Sequence, residues 1–177
     1  MSTHSRLYNL LRHDLPVHFI LLLTNWLPDN VLFLRLRGAL IRPFLGSCGA
    51  NLRLGRNITF YNPANIHIGR DVYIALGCWL NGNERIDIGD EVLFGPYCCV
   101  VTSNHTRLNG SFRFGESRKA PIKIKRGAWI AAHVTITAGT TVGAGTLIAA
   151  SAVARGEIPD HVLAAGQPTA VIRAFED

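Results

Sequence analysis

The sequence predicts an all-β solenoid, in which stacked coils carry one short strand on each of three sides. The first observation is a six-residue period over residues 124–153, with aliphatic residues at Ile124, Ile130, Ile136, Val142 and Ile148. The second is a small residue four positions after each of these, at Ala128, Val134, Thr140, Thr146 and Ala152. Helices and strands repeat about every 3.6 and 2.0 residues, so neither explains the pattern. Three hexapeptides per coil do, because each aliphatic side chain then points to the axis and stacks on the next coil.

The chain of 177 residues is expected to form one domain with an appendage. We divide it into a helical N-terminal arm (1–50), a solenoid (51–153) with an excursion loop at 106–121, and a capping segment (154–177). Hydrophobic residues make up 48% and charged residues 17%, which favours a packed core over disorder. Residues 5–45 are predicted to be helical, with a break at Pro28, Asp29 and Asn30.

The repeat begins at Leu54 and is irregular at first. Its frame restarts at Ile68 and again at Ile88, so each coil of three hexapeptides carries a two-residue insertion, which we place at a corner together with His67. After His105 the period stops, and it resumes only near Ile122. A long loop that leaves a regular wall is typical of a functional segment.

Positive charge is concentrated at the N-terminus. Residues 1–56 hold seven arginines and two aspartates, whereas the rest of the chain is nearly neutral. No aromatic and basic recognition motif accompanies this charge, so nucleic acid is not an expected partner. Residues 15–27 are apolar but too short to span a membrane. Residues 31–44 mix leucines with Arg35, Arg37 and Arg42, as a helix does on an apolar surface with cationic edges.

Two interpretations of the arm therefore stay open. The favoured one is that both helices pack on the solenoid and on a neighbouring subunit. The other is peripheral contact with a membrane. The four cysteines show no metal-binding spacing and are expected to be reduced, and no cleavable signal peptide is visible. The expected location is cytoplasmic, with the inner face of the membrane as an option, and no metal site is expected.

Three features of the solenoid resemble one family. They are His105 just before the excursion, the re-entry at 121–130 with Trp129, and the ending IPDHVLAAGQPTAVIR at 158–173. Together they resemble the hexapeptide-repeat acyltransferases, in particular the maltose, galactoside and nodulation O-acetyltransferases, over residues 54–175. The resemblance implies a left-handed parallel β-helix with an N-terminal helical arm and a C-terminal capping tail. It also implies a homotrimer with active sites between subunits and acetyl-CoA lying along the coils.

The chemistry of such an enzyme points to His105. Acetyl transfer from a thioester to a hydroxyl needs a base for the hydroxyl proton, and neutral imidazole suits that role. The thioester is already activated, so no cysteine nucleophile is expected. A backbone N–H near Trp129 is a candidate donor to the developing oxyanion. The other histidines, including His133 on the outer wall, are expected to have structural or solvated roles.

Further site residues follow from the resemblance by position. Trp129 matches a groove tryptophan, and Ala132, Ala150 and Arg173 match positions that meet pantetheine or nucleotide phosphates. Arg155 stands where the family has a Thr-Lys pair, and it is either a phosphate ligand or a surface charge. Ala170 replaces a basic residue.

The acceptor side departs from the family. Ala75 and Leu76 stand where an asparagine is usual, which predicts a rebuilt acceptor site and argues against maltose or a simple galactoside. Asn81, Asn83 and Glu116 are the candidate acceptor ligands. We expect an acetyl-CoA-dependent O-acetyltransferase acting on a carbohydrate of a bacterial surface polysaccharide. The alternatives are an N-acetyltransferase acting on an amino-sugar nucleotide, a zinc enzyme on the same solenoid, or a scaffold without catalytic activity.

Overall fold

The computed structural model describes residues 3–176, which form a helical arm followed by a parallel β-solenoid of about six coils. The arm consists of α1 (Thr3–Asn9), a π-helical turn (Leu10–Asp14), α2 (Leu15–Thr24), α3 (Val31–Ile41) and a 3₁₀ turn (Arg42–Phe44). Pro16 has no amide hydrogen to donate, which accounts for the irregular turn just before it. The predicted break in the arm is observed at residues 25–30, which form the turn between α2 and α3.

The solenoid has three faces, and each coil contributes one strand to each face. The first face holds β1 (Ser47–Cys48), β4 (Ile66–Ile68), β7 (Ile86–Ile88), β12 (Ile122–Ile124), β15 (Thr141–Val142) and β18 (Glu157–Ile158). The second face holds β2 (Arg53–Leu54), β5 (Tyr73–Ile74), β8 (Leu93–Phe94), β13 (Trp129–Ile130), β16 (Leu147–Ile148), β19 (Val162–Gly166) and β20 (Thr169–Ala174). The third face holds β3 (Thr59–Tyr61), β6 (Trp79–Asn81), β9 (Cys99–Val101), β14 (Thr135–Ile136) and β17 (Val153–Ala154).

The hexapeptide period is confirmed as the determinant of the core. The five aliphatic positions of residues 124–153 are at most 1% exposed, and the five small positions at most 2%. Two of the small residues are threonines, whose hydroxyls are satisfied inside the corner. Thr140 Oγ1 donates to the Thr137 carbonyl at 2.7 Å, and Thr146 Oγ1 to that of Pro159 at 2.6 Å.

The two-residue insertion is not a corner feature. It lengthens the strands of the first face, so that Ile66 and Ile68 of β4 both point inward. The placement of His67 in a corner is therefore wrong, because this residue lies between them and faces outward. Its Nδ1 lies 2.9 Å from Ser47 Oγ on β1.

The solenoid extends beyond both boundaries that the sequence suggests. At its start, β1 already pairs with β4. At its end, β18 and β19 continue the parallel ladders of β15 and β16, and only β20 turns back to pair antiparallel with β19. The segment that departs from the repeat is thus the final hairpin strand.

The arm is attached to the first coils by a buried cation. Arg37 is completely buried, so its interpretation as part of a cationic edge is wrong. Its guanidinium pairs with Asp29 and donates to the carbonyl oxygens of Leu27 and Leu54 at 2.6 and 2.8 Å. These bonds fix the turn between α2 and α3 against β2. No helix within residues 3–176 is long and apolar enough to cross a membrane.

Candidate active site

His105 lies at the end of a hairpin that leaves the solenoid wall. The hairpin strands are β10 (Ser103–His105) and β11 (Ser117–Lys119), and His105 pairs with Ser117. The adjacent Thr106 donates to the Glu116 carbonyl through both its amide nitrogen and its hydroxyl, at 3.0 and 2.7 Å. The imidazole is exposed. The backbone bonds hold it at a defined place outside the core, where a substrate can reach it.

A groove of about 540 Å³ begins beside this hairpin. We call it the hairpin groove, and its lining consists of Asn104, Thr137, Ala138, Val153, Arg155, Gln167 and Pro168. Its floor is the outer surface of the third face. One border is the corner from which the hairpin leaves, and the other is the turn between β19 and β20. The groove is therefore bounded by both segments that depart from the repeat.

Arg155 gives this groove a positive charge. It follows β17 and is exposed, and no carboxylate within residues 3–176 forms an ion pair with it. Arg126, on another corner, is instead held by Glu91 at 2.9 Å. An exposed guanidinium without a carboxylate partner suits phosphate oxygens. Both sequence-based alternatives for Arg155, a phosphate ligand and a surface charge, are compatible with this position.

Ala132 and Ala150 lie on the corner between the second and third faces. They belong to successive coils, since the Ser151 amide donates to the Ala132 carbonyl at 2.9 Å. The Gln167 side chain in turn donates to the Ser151 carbonyl at 2.7 Å, which ties the tail turn to this corner. The two small residues thus lie on a corner that is tied to the tail turn through Gln167, a residue of the hairpin groove.

Trp129 and Arg173 lie on a different part of the solenoid from the hairpin groove. Trp129 is in β13 and Arg173 in β20, both on the second face and both exposed. The guanidinium of Arg173 is 5.3 Å from the centre of the Phe175 ring. The corner that carries His105 joins the third face to the first, so the second face is the side opposite to it. Within one chain, these two predicted cofactor ligands and His105 are not brought together.

The candidate acceptor ligands differ in how available they are. Asn81 is 7% exposed, and its side-chain oxygen accepts from the Asn83 amide at 3.0 Å. Asn83 belongs to a ladder of side-chain hydrogen bonds. Its Oδ1 accepts from Asn62 Nδ2 at 3.0 Å, and its Nδ2 donates to Ser103 Oγ at 2.9 Å. The Glu116 side chain is exposed on the hairpin. The ladder leads to the base of the hairpin that carries His105, which leaves Asn83 and Glu116 better placed than Asn81.

The arm adds a carboxylate that sequence reasoning missed. Asp14 lines a cavity of about 100 Å³ with Asn62, Asn83 and Lys119. Burial raises the pKa of Asp14, while the nearby His13 acts in the opposite direction. Asp14 also lines a groove of about 370 Å³ between α2 and the first coil. The position of Asp14 depends on how the arm packs on the solenoid, and no local sequence pattern could have indicated it.

The cysteines are not placed as nucleophiles. Cys78 and Cys98 are each 1% exposed, and their thiols lie 3.2 and 3.3 Å from the same acceptor, the carbonyl oxygen of Gly95. The neighbouring Cys78 and burial raise the pKa of Cys98. Burial also raises the pKa of Cys99. Within residues 3–176, no group of three or more metal-binding side chains is close enough to hold a metal ion.

Comparison with known proteins identifies the family, although no protein-family model matches the chain. A galactoside O-acetyltransferase of Escherichia coli strain K12 is 33% identical over 141 residues, which are 80% of this chain and 70% of the relative. This chain belongs to the galactoside and maltose O-acetyltransferase family. A putative lipopolysaccharide biosynthesis O-acetyl transferase of the same strain is 27% identical over 143 residues, covering 72% of this chain and 67% of that one.

Solved structures of acetyltransferases share the fold. A maltose O-acetyltransferase from Clostridium difficile 630 superposes with a TM-score of 0.80 at 27% identity, covering 96% of this chain and 89% of the other. A hexapeptide-repeat acetyltransferase from Vibrio cholerae, solved with acetyl coenzyme A, gives 0.73 at 26% identity, covering 92% and 86%. The predicted fold class is confirmed, and the solenoid is the left-handed β-helix of this family.

Proposed function

We propose that this acetyltransferase moves an acetyl group from acetyl-CoA to a hydroxyl of a carbohydrate, with His105 as the general base. Acetyl transfer from acetyl-CoA follows from membership of the family. The observation that carries the catalytic part is the position of His105. It is an exposed imidazole held by a backbone hairpin, and the preceding residue of that strand, Asn104, lines the hairpin groove together with Arg155.

The lining and the charge of the hairpin groove support binding of an acyl-CoA thioester there. Ala138 and Val153 give an apolar floor for the pantetheine chain, and Arg155 offers a guanidinium to a phosphate. The thioester end then lies toward Asn104, next to His105. This order places the reactive carbonyl by the base and the charged end by the cation.

The chemical step needs one base and no covalent enzyme intermediate. A neutral His105 takes the proton of the acceptor hydroxyl while the hydroxyl oxygen attacks the thioester carbon. The tetrahedral intermediate collapses with cleavage of the carbon–sulfur bond, and the imidazolium returns the proton to the departing thiolate. Because Cys78 and Cys98 are buried, transfer passes directly from thioester to acceptor.

The acceptor that we propose is a carbohydrate of a surface polysaccharide. This proposal is supported by the name of the 27% identical relative, a putative lipopolysaccharide biosynthesis O-acetyl transferase. The side chains that would meet sugar hydroxyls are Asn83 and Asp14, near the base of the hairpin, and Glu116, near its His105 end. A trimeric assembly and a cytoplasmic location are parts of the same proposal.

Two measurements, made one after the other, test the proposed function. Calorimetric titration with acetyl-CoA should give saturable binding at one site per chain. Turnover with a panel of sugars, including amino sugars, should then be lowered by the His105→Ala substitution by about two to four orders of magnitude, as removal of a general base does. Acetyl-CoA affinity should be retained. Undiminished turnover of His105→Ala would refute the role of this residue, and absence of acetyl-CoA binding by the folded protein would refute the function.

A further inference from the structure

The outer surface of the arm is unusually apolar. In α2 and the turn after it, Phe19, Leu22, Leu23 and Trp26 are 53%, 60%, 69% and 77% exposed. Their spacing of three, four and seven residues from Phe19 places them in one stripe along the helix. Monomeric proteins rarely leave a continuous surface of such side chains in contact with water.

This stripe is not the one that packs on the solenoid. Val17, Leu21 and Thr24 have the same helical spacing and are buried, with Val17 and Leu21 part of the solenoid core cluster. Helix α2 therefore carries two apolar stripes, and only the inner one is covered by residues of this chain. A helix that is apolar on all sides is expected to be covered on all sides.

Helix α3, which contacts α2, also carries an exposed apolar stripe. Leu32, Leu36 and Leu40 recur every four residues on its exposed side, while Leu34 and Ile41 are buried on the other. Twelve of the 22 large apolar side chains that are exposed in the described chain belong to residues 7–40. The exposed apolar area is thus concentrated in the arm rather than spread over the protein.

The charge around this apolar surface indicates the kind of partner that would bind it. Four arginines of the arm are exposed: Arg6, Arg12, Arg35 and Arg42. Of the two acids before residue 57, Asp29 is held by Arg37 at 2.8 Å and Asp14 is half-buried in its cavity. An apolar stripe with cationic edges and no free carboxylate among residues 3–56 complements an anionic surface.

A second copy of the chain supplies no such surface. Two arms facing each other would bring together like charges without a carboxylate to pair them. Residues 57–177 hold eleven cations (18 − 7) and ten acids (12 − 2), and four of these acids are already ion-paired with arginine or lysine: Asp87, Asp90, Glu91 and Asp160. Lipid headgroups with phosphate charge, above an apolar layer, match both properties of the arm.

We propose that the N-terminal arm docks on the surface of an anionic lipid bilayer. The outer stripes of α2 and α3 lie in the boundary between headgroups and acyl chains, and the exposed arginines contact the phosphates. Trp26 fits this depth, because its ring is apolar while its indole N–H is already satisfied by the Leu23 carbonyl at 2.7 Å. The arm lies on the membrane and does not span it.

Docking would also hold the enzyme at the membrane by a segment that lies close to the base of the His105 hairpin. Asn9 and Asp14 of the arm line the same cavity as Lys119, which pairs with Ser103 at the base of the hairpin. His105 is two residues further along that strand. This step rests on the proposed function: if the acceptor is a carbohydrate, a docked enzyme would act on one carried by a membrane lipid.

Vesicle flotation of the full chain tests the docking. We expect it to float with vesicles of phosphatidylcholine and phosphatidylglycerol, to bind vesicles of phosphatidylcholine alone far less, and to be released by salt. The double variant Leu23→Glu/Leu32→Glu should lower partitioning at least about a hundredfold, because each of the two leucines inserted from water contributes roughly a factor of ten or more. Val171→Glu/Ile172→Glu, which alters two exposed apolar side chains outside the arm and changes the net charge equally, is the matched control.

A second pair of variants tests the charge. Arg35→Glu and Lys123→Glu change the net charge equally, but only Arg35 lies on the arm. Arg35→Glu alone should weaken flotation. Equal flotation of the wild type and the Leu23→Glu/Leu32→Glu variant would overturn the proposal. So would a fall in the native mass of that variant with unchanged flotation, which would assign the surface to a second copy.

Acetyl-CoA binding separates this proposal from the proposed function. A protein that binds acetyl-CoA but does not float refutes docking alone, and one that floats without binding acetyl-CoA refutes the enzymatic function alone. For the acceptor, a long-chain alkyl glycoside embedded in the anionic vesicles should be acetylated faster than its short-chain soluble counterpart. The double variant should lose that preference, and equal rates for the two glycosides with the wild type would exclude a lipid-carried acceptor.

Discussion

The guanidinium of Arg37 holds three segments together at one point. It is fully buried, pairs with Asp29 and donates to the carbonyl oxygens of Leu27 and Leu54. Replacing it with methionine should destabilise the protein by about 2–4 kcal/mol, because buried carbonyl oxygens and the partly buried Asp29 carboxylate lose their partner. Denaturant unfolding measures the difference. Arg35→Met, on the exposed side of the same helix, should change stability by less than about 0.5 kcal/mol.

Arg155 is the residue at which cofactor binding is most directly testable. If its guanidinium meets a phosphate, Arg155→Ala should weaken acetyl-CoA binding by about tenfold, the lower end of what a charge-assisted hydrogen bond contributes. The matched control is Arg126→Ala, since Arg126 is also exposed on a corner but pairs with Glu91. Calorimetry compares the acetyl-CoA affinities of the two variants. Equal affinities would show that Arg155 is a surface charge and not a phosphate ligand.

Asp14 should make stability depend on pH in an unusual direction for an acid. Burial raises its folded pKa above the unfolded value, so the protonated form is favoured by folding. Its contribution is fully present below the unfolded pKa and is lost as pH rises through the folded pKa. Asp14→Asn should therefore raise the thermal midpoint slightly at neutral pH and lose that advantage at acidic pH. A constant difference across the pH range would contradict this assignment.

At the scale of elements, the hairpin is positioned by a close backbone contact. A side chain at Gly115 would collide with the carbonyl of Thr106, the residue after His105. Gly115→Ala should therefore shift His105 and lower kcat while leaving acetyl-CoA affinity and the solenoid intact. Arg113→Ala, in the same loop but without this contact, should retain kcat. A Gly115→Ala enzyme of normal kcat would show that the hairpin does not position the base.

The elements that could be predicted from sequence are those determined by local periodicity. The six-residue period specifies which residues of 124–153 point inward, and its interruption after His105 marks the hairpin. The arm lacks such a constraint. Nothing local distinguishes the buried Arg37 from the exposed Arg35, because burial depends on which side of α3 meets the solenoid. Asp14 was missed for the same reason, since α1, α2 and the hairpin meet only through tertiary contacts.

At the scale of the whole molecule, the predicted site residues lie on opposite sides of the solenoid of one chain. His105 and Arg155 lie at the corner between the third and first faces, whereas Trp129 and Arg173 lie on the second face. All four can serve one active site only if a second copy brings its second face to the hairpin groove. The proposed trimer satisfies this condition in a closed ring, in which each groove is built from two chains. Its native mass should be three times 19.4 kDa.

Mixed trimers test whether the site is shared. His105→Ala lacks the base, and the double variant Trp129→Ala/Arg173→Ala lacks the second-face residues, so each alone should be nearly inactive. When the two are produced together in equal amounts, about a quarter of the shared sites should combine an intact hairpin from one chain with an intact second face from its neighbour. Activity should recover to about that fraction of wild type. If each site lay within one chain, no mixed trimer would contain an intact site, and activity would stay at the sum of the two variants.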